Sequence, residues 1–340
     1  MRVASEALPM TSAYFSLILR EHGTDARDRA ALLAGTGAGR EGALEAPGEI
    51  TLGQQLRQVR NASRLLGPGW ALATGSRLHA ATHGALGVGA VSAPTVRRGL
   101  EVMTRFSQVR APHFRLVARD ERDVVRLVPE DRVELDDEER IPLLDIVLLS
   151  TQGLVEALLG RPLHDARFEV SYARPAYASR YADHFHAPVR FGCTTPAVVL
   201  PAAWLDVECP LADGAMFEAS LASLTDAARR FAGRCPLVAR AEHLVAAHGE
   251  RLSFGAAARA LRLSRRTLSR RLHEEGTSWR ALLDARKKAR AARLLRDPEL
   301  GFGDVAAALG FDDTANFGRA CRRWFGMSPG AYRRRAAALG

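Results

Sequence analysis

Arginine and small polar side chains cluster in two short segments near the C-terminal end of the sequence, and their chemistry suits contact with nucleic acid. A guanidinium group can donate two parallel hydrogen bonds to O6 and N7 of guanine, and an asparagine amide can pair with adenine. The candidate DNA-contacting residues are Arg265, Arg266, Ser269 and Arg270 in the first segment, and Thr314, Ala315, Asn316, Gly318 and Arg319 in the second. We therefore predict that these two segments contact the edges of bases.

The first segment is predicted to be the second helix of a helix–turn–helix unit at about 253–275. Leu268 and Leu272 are four residues apart, which puts both on one face of a helix, and Ser264 is in position to cap its N-terminus. A helix packed through that face presents its arginine-rich face outwards. The pattern predicts a recognition helix that enters the major groove by its N-terminal residues.

A second copy of this unit follows at about 302–325. Apolar and glycine positions recur at an offset of 48 to 50 residues. The matched pairs are Phe254 with Phe302, Ala258 with Ala306, Leu261 with Leu309, Leu263 with Phe311, Leu268 with Phe317, Arg270 with Arg319, and Gly276 with Gly326. Phe317 is predicted to anchor the second recognition helix, Asp312 is the first candidate for its N-cap, and Asp313 can also cap it.

The basic charge of the chain lies in the same region. The chain carries 48 Lys+Arg and 38 Asp+Glu, and residues 240–340 hold 21 of the former and 10 of the latter. This local excess indicates a polyanionic partner. The helix predicted at 278–296, roughly 27 Å long at 1.5 Å per residue, joins the two units and can place the recognition helices in adjacent major grooves. Four of its basic residues are Arg286, Lys287, Lys288 and Arg290, and most of this group is predicted to face phosphate or solvent.

These motifs resemble the AraC/XylS family of bacterial transcription regulators over about residues 236–335. The resemblance is closest in Gly310-Phe311, in Asn316-Phe317-Gly318-Arg319-Ala320 and in Arg322-Arg323-Trp324-Phe325-Gly326, and the first unit matches from Leu263 to Leu272. Cys321 stands where the family usually has Phe. Residues 51–56 and 168–191 are similar to the effector-binding domain of the ornithine-regulator-like branch. The resemblance implies a small-molecule sensor that also dimerises, without making arabinose the ligand.

The N-terminal part has a mixed pattern. A Thr51–Gln54 capping box predicts the start of one helix. Further helices are predicted at 12–22, 25–34, 95–106, 141–159, 176–185 and 214–231. Strands are predicted at 114–117, 124–128, 167–171, 189–191 and 197–200, the first two as a hairpin. The acidic run 136–139 is predicted to be a solvated loop. The fold class is therefore multidomain: an α+β sensing and dimerisation domain at 1–230, a linker at 231–239 and an all-α domain of two helix–turn–helix units at 240–340.

Other chemistry finds less support in the sequence. The four cysteines lack zinc-like spacing, and the glycine run 35–39 follows a helix rather than the strand of a dinucleotide site. No signal peptide, membrane span or cofactor is predicted. A metal- or haem-sensing regulator remains an alternative, with five candidate ligands: His79, His83, His113, His184 and His186. A catalytic domain fused to a DNA-binding module and a nucleoid protein that coats DNA also remain.

The function that these patterns predict is a cytoplasmic, sequence-specific DNA-binding transcriptional regulator without enzymatic activity. Its expected partners are double-stranded DNA at two adjacent major grooves, a small-molecule effector, a second copy of the chain and RNA polymerase. A ligand that prefers one arrangement of the N-terminal domain would shift the population able to hold both units on DNA.

Overall fold

The computed structural model describes residues 6–38, 48–235, 237–248, 252–295, 297 and 300–337. The chain folds into two compact units, Met1–Pro236 and Leu237–Gly340. Gly39, the last residue of the predicted glycine-rich loop, lies outside the described residues.

The first unit combines helices with two sheets. Its helices are α1 (Ala13–His22), α2 (Ala26–Leu33), α3 (Leu52–Leu66), α4 (Trp70–Ser76), α5 (Ala85–Val91), α6 (Val96–Arg110), α7 (Asp137–Leu159) and α8 (Gly214–Arg234). Its strands are β1 (Pro9–Thr11), β2 (Glu49–Thr51), β3 (Phe114–Glu121), β4 (Val124–Asp131), β5 (Arg167–Glu169), β6 (Val189–Arg190) and β7 (Ala197–Pro201). The predicted α+β class is confirmed for this unit.

A five-stranded sheet has the order β3-β4-β7-β5-β6, and β1 pairs with β2 in a separate two-stranded sheet. The β3–β4 hairpin is antiparallel, with Phe114 opposite Asp131 and Glu121 opposite Val124. Strand β5 pairs antiparallel with β7 and parallel with β6. Both predicted strands of the hairpin are therefore present, and each is longer than predicted because cross-strand pairing continues through charged residues.

The main core forms where α6 and α7 pack against the sheet. Leu148 and Leu158 of α7, Leu127 of β4 and Phe168 of β5 are all fully buried. By length and composition α7 could span a membrane, but 61% of its most apolar stretch is buried inside this unit. Helix α7 is therefore apolar because it is a core helix. An amphipathic surface helix would not have this apolar character.

The acidic run at 136–139 is not the solvated loop that was predicted. Asp136 is the N-cap of α7, and it forms a capping box with Glu139. Glu139 is only 1% exposed, and Arg60 of α3 donates to its carboxylate at 2.9 Å and to Asp136 at 2.6 Å. Carboxylates in the first turn favour a helix because they interact with its dipole, and the sequence could not show that an arginine 76 residues away would pair with them.

The helix predicted at 176–185 is a 3₁₀ helix confined to Ala178–Asp183. Tyr177, Tyr181 and Phe185 are spaced by four residues, and their rings stack with centroids 6.1 and 5.5 Å apart. The four-residue spacing predicted an amphipathic helix over 176–185. In the structure the helix is shorter, and the spacing instead allows the three rings to stack.

In its described residues the second unit is helical. Its helices are α9 (Leu237–His248), α10 (Phe254–Ala260), α11 (Arg265–Glu274), α12 (Trp279–Leu294), α13 (Phe302–Ala308), α14 (Thr314–Phe325) and α15 (Pro329–Ala337). Within the predicted linker at 231–239, α8 continues to Arg234 and α9 begins at Leu237. The predicted order of an α+β unit followed by an all-α unit is confirmed.

Candidate DNA-binding surface and ligand cavity

The first recognition helix, α11, forms for the reasons that its sequence indicates. The Ser264 hydroxyl accepts a hydrogen bond from the Thr267 backbone N–H at 3.1 Å, which caps the N-terminus. Leu268 and Leu272 are fully buried. The carboxylate of Glu275, just past the end of the helix, accepts from the backbone N–H groups of Leu237 and Val238 at 3.2 and 2.9 Å, which ties the start of α9 to this unit.

The second recognition helix, α14, is capped by Asp313 and not by Asp312, the first candidate. The Asn316 backbone N–H donates to Asp313 Oδ1 at 2.6 Å, and the Asn316 side-chain amide donates to Oδ2 at 2.8 Å. Asp313 has the extended backbone that an N-cap requires, with φ −150°. Phe317 is fully buried, as predicted, and packs among Val305, Leu309, Cys321 and Trp324.

The repeat extends to the backbone of the turns. Leu263 N–H donates to the Ala258 carbonyl at 2.9 Å, and Phe311 N–H donates to the Ala306 carbonyl at 3.0 Å, at the same offset of 48. The residue before each donor has a positive φ: 70° at Gly310 and 57° at Arg262. A left-handed residue is ordinary for glycine but strained for arginine, so the first turn adopts the geometry of the second despite an unfavourable side chain.

The nine predicted DNA-contacting residues lie on the first two turns of α11 and α14, away from the buried anchors. On α11 the four candidates Arg265, Arg266, Ser269 and Arg270 are exposed. On α14 Thr314, Ala315 and Arg319 are exposed, while Asn316 and Gly318 are half-buried. The fold thus presents two equivalent polar faces, one on each recognition helix.

Four of these side chains already have neighbours within the unit. Arg270 Nε lies 3.6 Å from Glu274 on the same helix, and both side chains are well exposed. Arg319 donates to the Asn316 side-chain oxygen at 2.5 Å, and the Arg265 guanidinium packs over Gly255 of α10. An exposed pair within one helix contributes a few tenths of a kcal/mol, which phosphate or base contacts can replace.

The cations of the connecting helix divide between packing and solvent. The ammonium of Lys287 lies 5.0 Å from the Phe311 ring centroid, and that of Lys288 lies 5.7 Å from the Phe325 ring centroid. Arg290 is exposed. Asp284 of α12 accepts from Arg323 at 2.6 Å and from the Trp324 indole at 2.9 Å, which ties the connecting helix to α14.

The first unit contains a cavity that opens to solvent, and its empty space is about 740 Å³ when the solvent at its mouth is included. It lies between α1, α6, α7 and β3, and most of its lining is apolar. The apolar lining residues are Met10, Ile18, Leu78, Leu86, Met103, Ala111, Phe114, Leu116, Leu143, Ile146, Val147 and Leu154. The polar lining residues are Tyr14, Gln55, His83, Ser107, Arg110, His113, Ser150 and Thr151. A mostly apolar cavity with a few convergent polar groups is typical of a small-molecule site.

One corner of this cavity, formed by Tyr14, His83 and Arg110, concentrates hydrogen-bond donors; we call it the donor corner. The Tyr14 hydroxyl lies 2.7 Å from His83 Nδ1. The Arg110 guanidinium lies 5.3 Å from the Tyr14 ring centroid and donates to the Thr82 carbonyl at 2.9 Å. His83 Nε2 and Arg110 Nε are buried without a hydrogen-bond partner among the described residues.

Further polar atoms of the lining are buried without partners in the described part of the chain: both ring nitrogens of His113, and Gln55 Oε1. Burial lowers the pKa of His113 to about 4, and burial followed by the nearby charge of Arg110 lowers the pKa of His83 to about 4. Both imidazoles are therefore neutral at pH 7. Unpaired buried polar atoms are costly, so their clustering around one cavity indicates a place for a polar guest.

The five histidines considered as metal or haem ligands do not converge. His79 contacts Thr82, His184 contacts Ser76, and His186 contacts the Glu156 carboxylate at 2.6 Å. His83 and His113 share the cavity, yet within the described residues no group of three His, Cys, Asp or Glu side chains could hold a metal ion. The described geometry gives hydrogen-bonding roles to His79, His184 and His186.

Sequence reasoning did not identify Arg110, Tyr14 or Gln55. A signal for Arg110 was present, because Met103, Ser107 and Arg110 are spaced by four and three residues on the inward face of the amphipathic helix α6. An arginine on a buried helix face is unusual enough to mark a site. Tyr14 and Gln55 came from elements whose assembly around the cavity requires the tertiary structure.

Comparison with known proteins places both units in one family. Residues 27–211 match the model of the arabinose-binding N-terminal domain of AraC transcription regulators, and residues 257–335 match a helix-turn-helix domain. The chain is 30% identical to the ornithine utilization regulator of Pseudomonas aeruginosa over 78% of each protein. It is 44% identical to the transcriptional regulator VirS of Mycobacterium tuberculosis over 20% of each protein.

Among solved structures, the transcriptional regulator CdpR from Pseudomonas aeruginosa is 26% identical, with a TM-score of 0.41 over 81% of this chain and 90% of that one. The match of more than half of the chain to the N-terminal model, together with the helix-turn-helix match, agrees with the paired recognition helices described above. The chain belongs to the AraC family of DNA-binding transcriptional regulators.

Proposed function

We propose that α11 and α14 read adjacent major grooves of one operator, and that a small molecule in the cavity of the first unit controls this binding. The single observation that supports DNA reading is the equivalence of the two capped helices. Each has a buried anchor and an exposed arginine two residues beyond it. The pairs are Leu268 with Arg270 and Phe317 with Arg319. Helix α12 has 16 residues, or roughly 24 Å at 1.5 Å per residue, and can space the two helices for this purpose.

Arg270 and Arg319 are the proposed base-reading residues, and Arg290 serves as a matched exposed arginine on the connecting helix. Replacing Arg270 or Arg319 by Ala is expected to weaken specific binding by about 1–3 kcal/mol and to relax preference at one operator position. Arg290→Ala is expected to weaken binding to all sequences alike and to reduce the salt slope by about one unit.

The experiment is a titration of wild type and the three variants against operator and scrambled duplexes at two salt concentrations. The operator is first obtained by selection from a random duplex pool. Equal losses on both duplexes for Arg270→Ala and Arg319→Ala would reassign these residues as phosphate anchors.

The N-terminal unit is proposed to sense the effector and to dimerise in the cytoplasm, and RNA polymerase is the proposed partner at the promoter. Support for the dimer comes from the family, and sedimentation of the full chain with and without operator DNA tests it. Ornithine is not carried over from the similar regulator, because its two ammonium groups need carboxylate partners and no Asp or Glu is present among the described residues that line the cavity.

A further inference from the structure

We propose that the effector is a monocarboxylate with an uncharged, mostly apolar body, and that its carboxylate binds the donor corner. The proposal names the chemical class of the ligand that binds the cavity of the first unit. It rests on the proposed function only where it calls that ligand the effector.

Charge is the first argument. Among the described residues that line the cavity, Arg110 is the one that carries a charge at neutral pH. In the described part of the chain its guanidinium contacts the Thr82 carbonyl and the Tyr14 ring, and no carboxylate lies within ion-pair distance. A partly buried cation without a counter-charge is unfavourable unless an anion joins it. A ligand carboxylate is the planar acceptor that matches a guanidinium.

Hydrogen-bond chemistry at the donor corner is the second argument. Burial raises the pKa of the Tyr14 phenol, so its hydroxyl is protonated and can donate to His83 Nδ1. A neutral imidazole that accepts at Nδ1 carries its proton on Nε2. Within the described residues, His83 Nε2–H and Arg110 Nε–H are then two buried, unpartnered donors in one corner. Two unpartnered donors fit an oxyanion, which can accept from both, and do not fit an ammonium group, which can only donate.

The rest of the lining defines the body of the ligand. Helices α6 and α7 contribute an apolar wall, which includes Met103, Leu143, Ile146 and Leu154. Neutral His113 and the Gln55 carbonyl can pair with one hydroxyl or amide group of the ligand, but neither can compensate a second charge. The cavity therefore selects an amphipathic monoanion and disfavours cationic and doubly charged metabolites.

A matched series of eight-carbon probes tests this selection on the full chain. Octanoate, octanol and octylamine have the same body with anionic, neutral and cationic heads at pH 7.5. Calorimetric titration is expected to show octanoate binding about 10-fold to 100-fold more tightly than octanol, the range for charge-assisted hydrogen bonds. Octylamine is expected to bind more weakly than octanol. Octanol or octylamine binding as tightly as octanoate would overturn the proposal.

Arg110→Met tests the residue, and Arg105→Met on the exposed face of the same helix is its matched control. Arg110→Met is expected to abolish the preference for octanoate over octanol while octanol affinity stays within about threefold, which shows that the cavity is intact. Arg105→Met is expected to keep the wild-type preference. An Arg110→Met protein that retains the preference would exclude the donor corner as the carboxylate site.

A readout on wild-type protein protects the test against a variant that fails to fold. Octanoate labelled with ¹³C at its carboxyl group reports the ionisation of the bound head by its chemical shift. Beside Arg110 the bound carboxyl is expected to titrate at least one pH unit lower than free octanoate, whereas a raised titration would place it in the apolar part of the cavity and contradict the proposal. Operator binding by the same preparation, measured without any probe, tests the proposed function separately.

Discussion

At the scale of single residues, the first unit buries two histidines and an aspartate, His83, His113 and Asp145, whose pKa values move in opposite directions. Burial lowers the pKa of His83 and His113 to about 4, so both remain neutral. Burial raises the pKa of Asp145 to about 7, even though the hydroxyls of Tyr172 and Tyr181 donate to its carboxylate. Each shift makes the stability of the unit depend on pH, because the folded and unfolded states bind protons differently.

Acid is expected to destabilise the first unit through its histidines. Between pH 6.5 and 4 the unfolded chain protonates each histidine while the folded chain does not, so stability falls as pH falls, by about 3 kcal/mol per histidine at pH 4. His113→Phe should reduce this slope by about 1.4 kcal/mol per pH unit. Urea unfolding read by hydrogen exchange of α7 peptides measures this slope for wild type and for the variant.

Asp145 is expected to act in the opposite direction. Its folded pKa lies above its unfolded value, so its contribution to stability is present below about pH 4 and is lost as pH rises towards 7. Asp145→Asn keeps an acceptor for the two tyrosines and removes the titration. The difference in unfolding free energy, variant minus wild type, should increase by about 2–3 kcal/mol as the pH rises from 5 to 8. A constant difference across that range, by the same hydrogen-exchange readout, would show that Asp145 does not titrate there.

At the scale of elements, the recognition helices depend on their caps. Asp313 accepts from the Asn316 backbone and side chain, and Asn316 in turn accepts from Arg319, so one carboxylate orders the start of α14 and a proposed base-reading arginine. Asp313→Ala is expected to cost about 1 kcal/mol of stability in the second unit and to weaken operator binding more than stability alone explains.

The neighbouring Asp312→Ala is the matched control, since Asp312 is exposed and does not cap the helix. It should leave stability within about 0.5 kcal/mol and strengthen DNA binding slightly by removing a negative charge near phosphate. Thermal unfolding and duplex titration of both variants check this pair. A larger stability loss from Asp312→Ala than from Asp313→Ala would reverse the assignment of the cap.

At the scale of the whole molecule, the chain divides after Pro236, and the net positive charge lies beyond that division. The second unit has its own buried cluster around Phe317 and Trp324. We therefore expect residues 237–340 to fold alone and to bind duplex DNA at low salt. Circular dichroism and a duplex titration of this fragment test the prediction. A fragment that is unfolded, or folded without DNA affinity, would show that the boundary lies elsewhere.

The sequence by itself determined the second unit almost completely. Its helices are encoded locally: Ser264 caps its own helix, Leu268 and Leu272 are one turn apart, and the offset of the repeat transfers each inference from one unit to the other. Even so, the choice between adjacent aspartates at the second cap depended on backbone geometry, since either side chain has the required chemistry.

Only the tertiary structure decided the ligand cavity of the first unit. Tyr14, His83 and Arg110 lie on three separate elements, and the contact between Arg110 and Tyr14 joins residues 96 positions apart in the sequence. Likewise, the acids at 136–139 became a buried ion-paired cap only because Arg60 packs beside them. Local spacing encodes helices and caps because those interactions join residues within a few positions of each other. A cavity is instead defined by side chains that long-range packing brings together, and whose polar atoms it leaves without partners.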